Sequence, residues 1–261
     1  MKKLKSALEE QEQIKKRLIG KKVAVFLDYD GTLTPIVSRP ELAILSQNMR
    51  QTIHNLSKVC PVAIISGRAR GDVEKMVGLP ELFYAGSHGF DIRGPGVAMT
   101  PPEVEPILPK IEQASRYLKK ATQAIEGCLV ENKKYALAVH FRLCADEDIP
   151  VIEQLVDQVV TEEPNLRKTG GKKIFEIRAN FPWDKGKALN YFLEVLDLSG
   201  TNILPFYLGD DETDEDAFIA IKDSGIGILV EEETKNSNAS YGLRNVEEVQ
   251  RFLNKLAEWL S

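Results

Sequence analysis

Short runs of apolar residues alternate with helical patterns along most of the chain. The continuous apolar runs lie at residues 23–27, 62–65, 82–84, 203–208 and 225–230. A run without polar alternation is typical of a strand that is covered on both faces of a parallel sheet. Helical spacing follows the first run, where Met49, Ile53 and Leu56 come behind a candidate N-cap at Ser46. The pattern therefore predicts an α/β fold whose core is a doubly wound, mostly parallel, Rossmann-like sheet.

The pattern changes near residue 102. The elements predicted beyond it are a helix at 103–124, a hairpin at 127–142, a helix at 147–162 and a hairpin at 166–178. The second hairpin is expected to turn at Gly170 and Gly171. Apolar and polar residues alternate in these strands, which is typical of an antiparallel sheet with one solvated face. We therefore expect a smaller α/β cap domain at 102–179, inserted into a core formed by residues 1–101 and 180–261.

Composition and charge exclude several classes of protein. The chain carries 34 Lys and Arg against 39 Asp and Glu, a net charge of −5, so electrostatics gives no reason to bind nucleic acid or an anionic membrane. No segment approaches the roughly 20 apolar residues of a membrane helix, and no targeting sequence is recognised. Cys60, Cys128 and Cys144 are widely spaced, which suits a reducing compartment. We expect a cytoplasmic protein, with residues 4–18 forming a polar, solvated helix.

Polar residues follow three of the apolar runs directly. Asp28 and Asp30 follow the first run, Ser66 follows the second, and Asp210 and Asp211 follow the run at 203–208. Because the carboxyl ends of parallel strands share one edge of the sheet, these side chains are expected to meet in one crevice. Carboxylates placed so close together are tolerated when a cation lies between them, and oxygen ligands of this kind suit Mg²⁺.

Simpler explanations exist for each motif taken alone. A lone Asp-x-Asp is commonly a turn, and Gly-Asp-Asp before a helix is commonly an N-cap. Three such motifs at strand ends in one chain favour a functional site. The sequence holds no phosphate-binding GxxxxGK[ST] loop, no GxGxxG dinucleotide motif, no GxSxG elbow and no HExxH pair, so other common chemistries lack support.

Four motifs resemble, in order, those of the haloacid-dehalogenase-like phosphatases. They are Asp28-Tyr-Asp-Gly-Thr, Ser66 in IISGR, Lys185 in DKGKAL, and Gly209-Asp-Asp-Glu-Thr-Asp. Longer strings such as LDYDGTLTPI, YAGSHG, VENKKYALAVHFR and GDDETDEDAF resemble the trehalose-6-phosphate phosphatase family over roughly residues 22–220. In that family the middle segment is a cap inserted between the second and third motifs. This chain has Ala179 where many relatives have proline, and we expect no attached synthase-like domain of the kind that many relatives carry.

The resemblance implies a Mg²⁺-dependent hydrolysis of trehalose 6-phosphate through an aspartyl-phosphate, the last step of trehalose biosynthesis. The implied catalytic residues are Asp28, Asp30, Ser66, Lys185 and Asp214. The implied metal ligands are Asp28, the backbone carbonyl of Asp30, and Asp210. The implied substrate contacts are Arg68, Glu131, Lys133, Arg142 and Glu176. Among them, Asp28 is the nucleophile, Asp30 the general acid and base, and Asp214 the group that orients Lys185.

Other functions remain open at this point. The catalytic motifs are equally compatible with another sugar phosphate, such as sucrose 6-phosphate or glucosylglycerol phosphate, and a non-enzymatic sugar-phosphate sensor is a remote alternative. We expect a small-molecule substrate, no nucleic-acid or membrane partner, and a monomer. A trehalose-phosphate synthase is a candidate protein partner by resemblance.

Overall fold

The chain folds into two compact units. The computed structural model describes residues 4–37, 39–101, 103–171, 173–198, 200–231 and 236–261. The first unit, called the core, comprises Met1–Ala98 and Trp183–Ser261, and the second, called the cap, comprises Met99–Pro182. Pro102, where the sequence places the start of the cap, lies outside the described residues.

Both units contain helices and strands. The strands are β1 Lys22–Leu27, β2 Val62–Ile65, β3 Phe83–Gly86, β4 Asp91–Gly94, β5 Val97–Met99, β6 Leu129–Asn132, β7 Ala136–His140, β8 Leu166–Gly171, β9 Ile174–Ala179, β10 Ile203–Gly209, β11 Ile226–Val230 and β12 Tyr241–Leu243. The helices are α1 Gln11–Leu18, α2 Gln47–Ser57, α3 Arg70–Val77, α4 Leu108–Ala121, α5 Ile149–Glu162, α6 Lys185–Val195, α7 Glu215–Ala220 and α8 Val246–Leu260.

The larger sheet is mostly parallel. Among the described residues its strand order is β12-β11-β10-β1-β2-β3-β4-β5. All pairs from β12 to β3 are parallel, whereas β4 runs antiparallel to β3. β1 is central, so the strands on either side of it, β2 and β10, end beside it at one edge of the sheet. The predicted doubly wound α/β class, with a separate smaller sheet, is confirmed.

Helices cover both faces of this sheet. Ile53 of α2 and Phe252 of α8 are fully buried in the cluster that also contains Val25 of β1. Phe192 of α6 lies on the opposite face, its ring centroid 6.1 Å from that of Phe26. Neighbouring residues of β1 thus face different helical layers, which explains why the strand is continuously apolar.

The N-terminal segment corrects one expectation. Residues 4–18 are not a solvated appendage, because Ala7 and Ile14 are fully buried and α1 begins only at Gln11. Before the helix, the chain pairs with β12: the Ala7 N–H donates to the Gly242 carbonyl, and the Gly242 N–H donates to the Lys5 carbonyl. The prediction was wrong because these backbone contacts leave no hydrophobic periodicity in the sequence.

The cap is an antiparallel sheet with two helices. Its strand order is β6-β7-β9-β8, and the buried side chains of Ile111 in α4 and Ile152 in α5 belong to its interior. The second hairpin turns later than the sequence suggests, because Gly170 is already paired with Phe175. Throughout the described part of the chain, helices fall short of the length and apolar character that a membrane crossing requires.

Candidate active site

The loop after β1 places two carboxylates at the edge of the large sheet. The Asp28 N–H still donates to the Leu208 carbonyl at 2.9 Å, so this residue is held in the sheet and is only 5% exposed. Gly31 then turns the chain with a φ of +84°, and a Cβ at this position would collide with the Asp210 carboxylate. The turn therefore needs glycine for both its conformation and its space.

The segment after β10 supplies further carboxylates. Asp214 is fully buried, and its Oδ2 accepts the backbone N–H groups of Asp210 and Asp211, each at 3.0 Å. The Asp211 side chain accepts the Glu212 N–H and completes a reciprocal N-terminal cap with Asp214. These hydrogen bonds fix the direction in which the carboxylate of Asp214 faces.

A buried lysine links the two loops. Lys185 is the first residue of α6, whose N-cap is the Asp184 side chain. Its Nζ donates to Asp28 Oδ1 at 2.8 Å and to Asp214 Oδ1 at 2.6 Å, and the lysine side chain is only 3% exposed. The Tyr207 hydroxyl donates to the same Asp214 oxygen at 2.5 Å. Asp214 therefore accepts hydrogen bonds from four donors, and it holds the Lys185 ammonium next to Asp28.

Burial and charge shift the titration of this cluster. Burial raises the pKa of Asp28 well above its ordinary value, against the opposing charge of Lys185 and with the repulsion of Asp214 and Asp210. Burial, and then the charge of Asp214, raise the pKa of Asp210 to about 7. Burial alone would lower the pKa of Lys185, but Asp214 and Asp28 outweigh it and the net pKa is raised. The site therefore holds more negative charge than the lysine alone stabilises.

The donor set fits a divalent cation. Oxygens of Asp28, Asp210 and Asp214 all lie within 4.8 Å of one another. Three carboxylates and one ammonium leave two negative charges when ionised, and carboxylate oxygens suit Mg²⁺. Because the oxygens of Asp214 are already engaged, Asp28 and Asp210 are the carboxylates that would hold the ion. The predicted role of the Asp30 carbonyl stays a prediction.

Asp30 lies apart from this cluster, in a pair with Arg68. The guanidinium donates from Nε to Asp30 Oδ2 at 2.7 Å and from Nη2 to Oδ1 at 2.6 Å, and it lies 5.4 Å from the centroid of the Tyr29 ring. The Asp30 side chain is 41% exposed, unlike that of Asp28. The family resemblance assigns Arg68 to substrate binding. In the structure its guanidinium pairs with Asp30, the carboxylate assigned to proton transfer.

The loop after β2 holds the predicted hydroxyl. Ser66 is 1% exposed, and its Oγ accepts the Arg68 N–H at 3.2 Å. The loop after β3 supports the loop that carries Ser66 through two backbone hydrogen bonds. The Ser87 N–H donates to the Arg68 carbonyl at 2.7 Å, and the His88 N–H donates to the Ser66 carbonyl at 2.9 Å. Ser87 and His88 both have positive φ, of 51° and 58°. Consecutive strained residues of this kind are commonly found at functional sites.

Sequence reasoning missed the bracing residues. Tyr207 lies inside a buried apolar run, where its single hydroxyl is the only signal of a polar contact. Ser87 and His88 lie in the string YAGSHG, but no sequence pattern predicts a left-handed backbone at residues other than glycine.

The cap residues predicted to contact substrate lie mostly on one face of its sheet. Glu131 and Glu176 stand on either side of Ala138 in one cross-strand row. Glu131 Oε2 lies 3.0 Å from His140 Nε2, and Lys133 Nζ lies 3.7 Å from Glu176 Oε1. Arg142 is exposed and lies two residues beyond β7, outside the paired strands.

Comparison with known proteins points in one direction. The model of the trehalose-phosphatase family matches residues 26–250. The chain is 44% identical to a probable trehalose-phosphate phosphatase 4 of Oryza sativa subsp. japonica, covering 97% of this chain and 71% of that protein. It is 43% identical to trehalose 6-phosphate phosphatase RA3 of Zea mays, covering 98% and 76%. The C-terminal domain of the C. albicans trehalose-6-phosphate phosphatase shares the fold, with a TM-score of 0.77 at 23% identity over 99% of this chain and 100% of that one.

Proposed function

The chain belongs to the trehalose-phosphatase family, and on that premise we propose that it hydrolyses trehalose 6-phosphate to trehalose and phosphate. It is a phosphatase, as its relatives are. One observation carries the proposed chemistry: the buried ammonium of Lys185 joins Asp28 to Asp214, with the Asp210 carboxylate beside them. The names of the relatives support the choice of substrate.

Asp28 serves as the nucleophile in this proposal. Its carboxylate attacks phosphorus, the bond to the sugar oxygen breaks, and an aspartyl-phosphate forms that water later hydrolyses. A carboxylate and a phosphate dianion repel each other. The Lys185 ammonium, held at 2.8 Å from Asp28, offsets that repulsion in a buried site where charge interactions are strong.

Asp30 and Ser66 complete the machinery. Asp30, the more exposed carboxylate, delivers a proton to the leaving sugar oxygen and then accepts one from the attacking water. Arg68 fixes the direction of the Asp30 carboxylate through its two hydrogen bonds. The Ser66 Oγ accepts the Arg68 N–H, so its own hydrogen is left to donate to a phosphoryl oxygen.

Asp28 and Asp210 are the side chains proposed to hold Mg²⁺, and the Asp30 carbonyl is the third proposed ligand. The ion, when bound, supplies positive charge that stabilises the phosphoryl group. Thr32 helps to orient Asp210, since its hydroxyl lies 3.4 Å from Asp210 Oδ1.

We expect Mg²⁺ to stabilise the protein more at pH 8 than at pH 6. The pKa of Asp210 is raised to about 7, so the metal-free fold binds a proton there more tightly than the unfolded chain does. Proton binding at Asp210 therefore stabilises the metal-free fold at low pH, and this stabilisation is lost as the pH rises through about 7. Above this pH the Asp210 carboxylate is already ionised, so the cation binds without displacing a proton. Melting temperatures with MgCl₂ and with EDTA at both pH values measure the difference.

The Asp210→Asn variant is the control for this measurement, because it removes the titrating group. It should melt at nearly the same temperature with and without Mg²⁺. An equal Mg²⁺ effect at pH 6 and pH 8 in the unsubstituted protein would contradict the assignment of Asp210.

A substrate panel tests the proposed function. Phosphate release is measured from trehalose 6-phosphate, sucrose 6-phosphate, glucose 6-phosphate and p-nitrophenyl phosphate, with Mg²⁺ and with EDTA. Preference for trehalose 6-phosphate that is abolished by EDTA supports both substrate and metal. Preference for another sugar phosphate keeps the chemistry and removes the substrate, and no release from any of the four overturns the proposal.

The Glu131→Gln variant should lose activity on the sugar phosphate selectively. A carboxylate makes stronger hydrogen bonds to sugar hydroxyls than an amide does. We expect kcat/KM for trehalose 6-phosphate to fall about tenfold or more, with the rate on p-nitrophenyl phosphate nearly unchanged. Glu126→Gln, at an exposed position just before β6, is the matched control. Equal losses on both substrates would argue against a role for Glu131 in sugar binding.

A further inference from the structure

A network of charged side chains on the cap sheet surrounds Glu176. Thr169 and Glu176 are directly opposite each other on β8 and β9, and Arg178 is two residues further along β9. Residues two apart on a strand share a face, so these three side chains emerge on the same side of the sheet. The exposed fractions of Glu176 and Arg178 are 12% and 14%, well below those of ordinary surface charges.

Arg178 connects Glu176 to the neighbouring strand. Its Nη2 lies 2.7 Å from Glu176 Oε2, and its Nε donates to Thr169 Oγ1 at 3.2 Å. The Thr169 hydroxyl in turn donates to the Glu176 backbone carbonyl at 3.5 Å. The guanidinium is therefore fixed on both sides, and through it one oxygen of Glu176 has a defined position.

The other oxygen of Glu176 faces a different cation. Lys133 Nζ lies 3.7 Å from Oε1, longer than a hydrogen bond. Arg178 thus fixes one side of the Glu176 carboxylate, and Lys133 faces the other. A sugar hydroxyl placed between Lys133 and Glu176 can accept from the ammonium and donate to the carboxylate. If Arg178 were absent, the carboxylate would be free to close onto Lys133 and engage both groups with each other.

From these contacts we infer that Arg178 is a positioning residue for sugar recognition, and that Thr169 holds it in place. The inference rests on the proposed function and deepens it. It assigns the two residues to substrate affinity, acting through Glu176, and not to the phosphoryl chemistry of the core. A lysine at position 178 would keep the charge but could not span both partners, because its ammonium lacks the planar fork of guanidinium.

Arg167 provides a matched control. It lies directly opposite Arg178 on β8, so the two arginines share a face of the sheet. The Nε of Arg167 is buried and has no hydrogen-bond partner among the residues that the structure describes. Arg167→Lys therefore makes the same chemical change on this face as Arg178→Lys, at a position without an ion pair to Glu176.

The experiment compares Arg178→Lys, Thr169→Val, Thr169→Ser and Arg167→Lys with the unsubstituted protein. We expect Arg178→Lys and Thr169→Val to raise KM for trehalose 6-phosphate about tenfold and about threefold, with kcat nearly unchanged. Thr169→Ser, which keeps the hydroxyl, should restore the original KM. Arg167→Lys should leave KM within about twofold, and p-nitrophenyl phosphate should be hydrolysed equally by all five proteins.

The outcomes separate the inference from the proposed function. If the unsubstituted protein does not hydrolyse trehalose 6-phosphate, the proposed function fails and the inference falls with it. If it does, and Arg178→Lys and Thr169→Val keep the original KM, only the inference is overturned. Equal KM increases in Arg178→Lys and Arg167→Lys would overturn it as well, since geometry at Glu176 would then not be the cause. Melting temperatures of all variants identify any loss that comes from unfolding.

Discussion

The Asp28→Asn variant will lose catalysis without losing stability. Asparagine keeps the shape of the side chain and an oxygen that accepts from Lys185, but it cannot form the aspartyl-phosphate. Phosphate release is expected to fall by at least about a thousandfold. Burial raises the pKa of Asp28, which means that the fold disfavours its charged form. Removing that charge should therefore leave the melting temperature in EDTA unchanged or raise it, as is common where function imposes an unfavourable charge.

Asp211→Asn is the matched control for this result. It removes one negative charge from the neighbouring loop, and asparagine can still accept the Glu212 N–H that Asp211 now accepts. Its phosphate release should stay close to that of the unsubstituted protein. Measurable turnover by Asp28→Asn in protein whose mass confirms that no deamidation has occurred would remove Asp28 as the nucleophile.

The Lys185→Met variant will lose both activity and stability. It deletes the ammonium that contacts Asp28 and Asp214, and it leaves these carboxylates buried without their common partner. Breaking a buried ion pair from one side costs about 3–5 kcal/mol, which lowers the melting temperature of a chain of this size by about 10 °C. Thermal denaturation and phosphate release measure the two effects.

The loss of stability in Lys185→Met should depend on pH in a defined direction. The pKa of Lys185 is raised in the fold, so its contribution to stability is fully present throughout the neutral range. Without it, the raised pKa of Asp28 rises further, and the folded variant takes up protons as the pH falls. The deficit relative to the unsubstituted protein should therefore shrink between pH 8 and pH 5. Lys187→Met, in the same turn of α6 but 44% exposed, should show neither the large deficit nor the pH dependence.

The sequence predicted the part of the site that is built from strand ends. Asp28, Ser66 and Asp210 follow buried apolar runs, and parallel strands bring such positions together regardless of loop detail. The short strands β4 and β5 were not predicted, because Gly94 and Gly96 interrupt the segment and no apolar run marks it. The backbone hydrogen bonds of Lys5 and Ala7 with Gly242 were not predicted either, because backbone contacts leave no pattern in the sequence of side chains.

The side-chain contacts inside the site could not be predicted from the sequence, for a different reason. The motifs imply that Arg68 meets substrate, yet the structure places its guanidinium on Asp30. Which carboxylate a long side chain reaches depends on its rotamer and on the loop that supports it, and neither can be read from residue spacing. The same limit hid the link from Arg178 to Thr169, which requires the register of β8 against β9.

The N-terminal segment also has a consequence for the behaviour of the molecule in concentrated solution. β12 is the outermost strand on its side of the large sheet, and an outer strand presents unpaired backbone groups that invite pairing with another chain. Residues 5–7 lie along this strand and take up both hydrogen-bonding groups of Gly242. By covering this edge, residues 5–7 protect the sheet from aggregation through β12, and this protection is separate from catalysis.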